Sequence, residues 1–180
     1  MSSVITEPPE RSNPYSERIK LVLGDITYQD TDSILTIIPQ NLEYKGSLND
    51  SIREAAGEDL EIFLQENVIN PRPSDIYAIP GFTLPCDHIF FCIIPVWRTE
   101  FDRRDKFLLY AARKALELSF DMGLRSVSIP FIGAGKNGFP KQRAARLISQ
   151  GIQERLYEGL KEVRIVCPDA DDLALFEGRF

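Results

Sequence analysis

The stretch SVSIPFIGAGKNGFPKQRAARLI, residues 126–148, decides the fold. Its first seven residues, SVSIPFI, form a short β-branched apolar run bounded by glycine, which reads as a strand. The glycine loop Gly133-Ala134-Gly135-Lys136-Asn137-Gly138-Phe139 follows, with Pro140 placed to begin a helix. From Arg143 to Glu158, Ala145, Ile148, Ile152 and Leu156 recur at helical spacing and form one apolar stripe. Strand, glycine loop and helix in that order are half of a crossover unit in a parallel sheet.

The flanking sequence repeats this alternation. IKLVLGDIT (residues 19–27) reads as a strand ended by Gly24 and Asp25, and SILTIIPQ as a strand buried on both faces. Ser47, with Asp50 three residues on, resembles a capping box, and Leu48, Ile52, Ala55 and Ala56 share a helix face. Gly57 interrupts that helix before LEIFLQEN resumes it. IYAIPGF and HIFFCIIPVW read as strands, Asp105 to Gly123 as a helix, EVRIVCP as a closing strand, and DDLALFEGRF as a short helical tail. The expected architecture is a three-layer α/β/α sandwich around a mixed, mostly parallel sheet. Its ligand crevice is expected at the C-terminal ends of the strands.

With 180 residues, the length fits one domain, expected over residues 18–180 behind a disordered, proline-bearing tail at 1–17. No apolar run reaches the ~20 residues of a membrane span, and the N-terminus lacks a signal-peptide pattern, so a cytoplasmic location is expected. The net charge of -6 disfavours non-specific binding to nucleic acid. Cys86, Cys92 and Cys167 are too scattered for a metal knuckle or disulfide framework and read as buried thiols. The single histidine, His88, opens a strand and leaves no two-histidine zinc site; neither metal nor cofactor is expected.

Residues 133–138 spell G-x-G-x-x-G between a strand and a helix, the context of a dinucleotide fingerprint. Three features oppose that reading. Pro140 would fall inside the first helical turns, the acids Asp169 and Asp171 come too late, and few residues follow to complete the fold. A Walker loop fails because Phe139 stands where Lys is needed. Taken alone, the glycines suit a phosphate cradle and a tight strand-to-helix turn equally well. Gly24-Asp25-Ile26-Thr27 and the segment YKGSLND tip the balance towards the cradle. In a parallel sheet all three segments emerge on one edge, setting an acid at one end and N–H donors at the other. That suits a nucleotide, its amino group on the carboxylate and its phosphates on backbone N–H groups.

These blocks, in this order, resemble the macrodomain family of ADP-ribose-binding proteins over residues 18–180. IKLVLGDIT resembles the opening strand, SILTIIPQNLEYKGSLNDSIREAAG the second strand, first phosphate loop and helix, and HIFFCIIPVW a later strand. SVSIPFIGAGKNGFPKQRAARLI resembles the second phosphate loop. The resemblance implies Asp25 as acceptor for the adenine amino group and Ile26 as a backbone donor to the ring. It places Gly46, Ser47 and Leu48 along the pyrophosphate, and Gly133, Ala134, Gly135, Lys136, Asn137, Gly138 and Phe139 around the distal phosphate and ribose. The sequence departs from hydrolytic members at Thr36-Ile37-Ile38-Pro39, which replaces an Asn-Ala-Ala-Asn run, and at Asn49, which stands where an acid is linked to water activation. Asn137 replaces a ribose-packing aromatic and Pro168 stands near an adenine-stacking position, with Tyr44 and Phe176 as candidate substitutes. The expectation is therefore a module that binds ADP-ribose, free or on a macromolecule, as a monomer, with weak or no hydrolase activity. The alternative is a hydrolase or phosphatase acting on ADP-ribosylated protein, O-acetyl-ADP-ribose or ADP-ribose 1″-phosphate, with Asp50, Tyr44 or Lys136 in catalytic roles. A third reading is a degenerate macrodomain used as an interaction surface.

Overall fold

The computed structural model describes residues 14–43, 46–95, 101–133 and 140–180, with only the backbone of 101–104. Six strands, β1 (Ile19–Leu23), β2 (Ser33–Pro39), β3 (Ile76–Pro80), β4 (His88–Ile94), β5 (Ser126–Pro130) and β6 (Glu162–Cys167), form one sheet. Their order is β1-β6-β5-β2-β4-β3. Every neighbouring pair is parallel except β3 with β4, so the sheet is mixed and mostly parallel. The helices are α1 (Ser47–Ala56), α2 (Glu58–Asn67), α3 (Phe101–Asp121), α4 (Lys141–Arg155) and α5 (Ala170–Ala174).

Alternation along the strands produces the layers. On one face Leu35, Phe90, Cys92, Val127, Ile129, Val163 and Ile165 pack with Leu108 and Ala111 of α3 and Ala145 and Ile148 of α4. On the other, Ile34, Ile38, Ile89, Phe91 and Ile93 pack with Ile52 and Ala56 of α1 and Leu60 and Leu64 of α2. β2 and β4 are buried from both sides, so they read as continuous apolar runs.

Some boundaries differ from the sequence reading. α1 has no side-chain cap: Gly46 is the N-cap residue at φ 128°, and Ser47 is already helical. The capping-box expectation for Ser47 and Asp50 is therefore corrected. α3 begins at Phe101 rather than Asp105, and α4 begins at Lys141, directly after Pro140, and ends at Arg155. Residues 16–18, assigned mostly to the tail, form a 3-10 turn whose Arg18 guanidinium donates to the carbonyls of Glu158 and Leu160.

At the N-terminal edge, one carboxylate oxygen of Asp32 accepts from the backbone N–H groups of Arg125 and Ser126, tying β5 to the start of β2. At the opposite edge the strands are less constrained. β2 and β5 pair only through Ser33 with Val127 and Ile34 with Ser128, and their later residues are unpaired with each other.

Candidate functional site

The parallel strands β1, β6, β5 and β2 lie side by side, and their C-terminal ends lead into Gly24-Asp25, Pro168-Asp169, Phe131-Ile132-Gly133 and Gln40. Three inter-strand spacings separate β1 from β2, about 14 Å.

At the β1 end, Gly24 N–H continues the ladder to the Cys167 carbonyl at 2.9 Å, after which the chain turns away. Asp25 caps the 3-10 turn Ile26–Tyr28, its Oδ1 accepting from the Thr27 N–H at 2.8 Å and the Thr27 hydroxyl at 2.7 Å. The Gln29 amide holds the Asp25 carbonyl at 2.9 Å, and Ile26 anchors the turn in the core. The carboxylate is thus oriented but exposed, and among the described residues no hydrogen bond engages Oδ2.

At the β2 end stands the N-terminus of α1, where Gly46, Ser47 and Leu48 begin the helix without a side-chain cap. Its first-turn N–H groups and the positive end of its dipole are suited to an anion. Leu48 packs against both core clusters and so fixes the helix start over the sheet edge. Asn49 is buried, and both ends of its side-chain amide are hydrogen-bonded: Oδ1 accepts from the Thr36 hydroxyl at 2.5 Å and Nδ2 donates to the Ile37 carbonyl at 3.0 Å. Sequence reading marked both Thr36 and Asn49 as departures but missed that they bond to each other. The available signal was two short polar residues on inward-facing positions. Asp50, the next residue, is exposed and off the face formed by Asn49, Ile52 and Ala56.

Between these ends, Gly133 follows β5 at φ 73°, and a Cβ there would meet Leu108 Cδ2 of α3 at 2.5 Å. The positive φ favours glycine, and a Cβ there would also force the Leu108 side chain to shift. Ala134, Gly135, Lys136, Asn137, Gly138 and Phe139, and likewise Tyr44, lie outside the described residues. Beyond the loop, Arg143 at the start of α4 pairs with Asp105 of α3, and Lys141 pairs with Asp172 at 2.8 Å.

Phe176 is fully buried and stacks edge-on against Phe131, with ring centroids 5.1 Å apart, so the suggestion that it replaces an adenine-stacking aromatic is corrected. Asp169, weighed above as a ribose acid, instead caps α5 by accepting from the Asp171 N–H at 2.7 Å. The three cysteines are buried and unpaired with one another. Burial pushes the Cys86 thiol up to about 11 and those of Cys92 and Cys167 to about 12, so none is a thiolate at neutral pH. Among the described residues no group of His, Cys, Asp and Glu is placed to hold a metal ion, and no helix is long and apolar enough to cross a membrane. A hollow lined by Ile38, Leu42, Arg53, Glu61 and Leu64, on the α1–α2 side, contains none of the candidate ligand-binding or catalytic residues.

Comparison with known proteins converges on the same reading. A family model for the macro domain matches residues 39–148. The chain is 32% identical over 167 residues to macro domain-containing protein lmo2759 of Listeria monocytogenes, covering 88% of this chain and 94% of that protein. It is 29% identical over 167 residues to an O-acetyl-ADP-ribose deacetylase of Cronobacter turicensis, covering 90% and 95%. A protein of Thermotoga maritima, 29% identical over 172 residues, is much longer: the match covers 91% of this chain and 28% of that relative. The solved Oceanobacillus iheyensis macrodomain with ADP superposes with a TM-score of 0.76 at 29% identity, over 88% of this chain and 87% of that one. A variant of that macrodomain was solved with ADPR (TM-score 0.77, 27% identity, 88% and 89% covered). The overall fold is therefore shared with solved macrodomains, and the chain belongs to the macro domain family.

Proposed function

We propose that this chain is a binding module for ADP-ribose or an ADP-ribosyl group, with weak or no hydrolase activity. The observation that carries the reading is the shared strand edge, with the exposed Asp25 carboxylate at β1 and the uncapped N-terminus of α1 at β2. The carboxylate accepts the adenine amino group, and the Ile26 N–H donates to the ring. The pyrophosphate lies against the first turn of α1 at Gly46, Ser47 and Leu48. The distal phosphate and ribose are assigned to the glycine-rich segment 133–139, whose sequence includes the basic residue Lys136. Support comes from the solved macrodomain neighbour that carries ADP or ADPR.

The low hydrolytic activity follows from Asn49. A carboxamide is not a base at neutral pH, and here both ends of it are already hydrogen-bonded inside the fold. Calorimetric titration with ADP-ribose is expected to show binding to the wild type and a loss of about tenfold or more on Asp25→Ala. Absence of heat at millimolar ligand would sink the reading.

A second reading, hydrolysis of a small ADP-ribose derivative, is supported by the similarity to an O-acetyl-ADP-ribose deacetylase. It needs a base other than Asn49, for which Asp50, Tyr44 and Lys136 are the candidates. Turnover of O-acetyl-ADP-ribose, ADP-ribose 1″-phosphate and ADP-ribosylated protein distinguishes the two. An inert wild type removes the second reading, and rapid turnover replaces the first.

A further inference from the structure

We propose that Asn49 is a positioning residue: its side-chain amide, clamped between Thr36 and the Ile37 carbonyl, sets where the anion-binding end of α1 stands over the sheet edge. The proposal rests on the ADP-ribose reading and deepens it at the pyrophosphate.

Helix α1 enters from Gly46, at φ 128° and ψ 161°, and no side chain caps it. Its terminus therefore lacks the usual local device that fixes the direction of a first turn. Asn49, the third residue of the helix, is the buried polar residue of that turn and reaches across to β2. The Thr36 hydroxyl donates to Oδ1 at 2.5 Å, and Nδ2 donates to the Ile37 carbonyl at 3.0 Å. Ile37 lies beyond the last residue of β2 that pairs with β5, at the point where the two strands have parted. The amide thus ties the helix start to the strand at the mouth of the crevice.

The chemistry selects asparagine. One planar group must present an acceptor to a hydroxyl and a donor to a carbonyl. Aspartate satisfies the first partner, turns an oxygen towards the Ile37 carbonyl, and adds a negative charge to the turn that meets the pyrophosphate. Alanine leaves both partners without the bond.

Binding of two probes separates positioning from mere stability. ADP-ribose engages both ends of the site, whereas adenosine engages only the Asp25 end. Affinity for ADP-ribose is read by calorimetry and for adenosine by NMR shifts of the Ile26 amide. Asn49→Ala and Asn49→Asp are expected to weaken ADP-ribose by about tenfold or more while leaving adenosine within about twofold. Thr36→Val should weaken ADP-ribose in the same selective way, and Thr36→Ser, which restores the hydroxyl, should recover it. If Asn49→Ala does not fold, the Thr36 pair decides the matter alone. Unchanged ADP-ribose affinity in the variants, or equal weakening of both probes, overturns the positioning role and leaves the ADP-ribose reading standing. A wild type that binds no ADP-ribose overturns both.

Discussion

Asp25 and Asp50 have the same charge and opposite expected effects. Asp25 has one oxygen committed to Thr27 and is proposed to accept from the ligand, whereas Asp50 is exposed near the turn proposed to meet the pyrophosphate. A carboxylate there favours the free helix but repels a bound dianion, by about 0.3–1 kcal/mol at low salt. Asp50→Asn is therefore expected to tighten ADP-ribose by about two- to fivefold in low-salt calorimetry; if Asp50 is a general base, the same change instead abolishes turnover. The thiols offer a second check. Cys86, Cys92 and Cys167 are buried with raised pKa values, so a disulfide reagent at pH about 8 should label them at a rate set by unfolding and react promptly once urea is added. Rapid labelling of the native chain would contradict their placement. Residues such as these were legible in the sequence, because a cysteine within an apolar strand and an acid just after one have local explanations. Phe176 was not: its burial depends on Phe131, far away in the chain, and no local pattern shows which aromatic faces a ligand and which a neighbour.

Elements were read more securely than their ends. Strand periods and helix stripes follow from side-chain alternation, so all six strands appeared in the sequence. Helix starts depend on how the preceding loop arrives. Ser47 with Asp50 is chemically competent as a capping box, yet the chain enters α1 through Gly46 in a conformation that only glycine adopts readily, which places Ser47 one residue too far in to cap. Gly46→Ala should accordingly cost about 1–3 kcal/mol in urea denaturation, in addition to weakening ADP-ribose through a displaced first turn. α3 and α4 approach closely at Gly151, where an added Cβ would meet Ala112 Cβ and the Leu109 carbonyl, each at 2.8 Å. Gly151→Val is expected to destabilise the fold by about 1–3 kcal/mol, read from the same denaturation curves. A wild-type midpoint in either variant would show that the backbone yields more readily than this packing implies.

Across the whole molecule, a chain of net charge -6 is asked to hold a dianionic ligand. The overall field opposes this, so the proposed binding mode relies on the oriented N–H groups and dipole at the start of α1. Stability responds to pH through buried groups. A Cys92 thiol raised from 9.0 to about 12 by burial favours the protonated, folded state. Its contribution is complete below pH about 9, where the unfolded thiol is also protonated, and fades as pH rises towards the folded value. Urea midpoints should fall between pH about 9 and 11, and less steeply in Cys92→Ala. On the acid side, Glu162 is held low chiefly by its hydrogen bond from Arg164, so its contribution is present above the usual carboxylate range and is lost as pH falls through it. Sheet order was beyond local reading, because β1 pairs with β6 across almost the full chain, yet that pairing sets Asp25 and α1 on one edge. A titration of 15N-labelled protein with ADP-ribose tests that arrangement most directly. Amide shifts are predicted at Asp25, Ile26, Ser47, Leu48 and Gly133, with β3 and α2 unmoved. No shifts at millimolar ligand, or shifts confined to residues away from this edge, would contradict it.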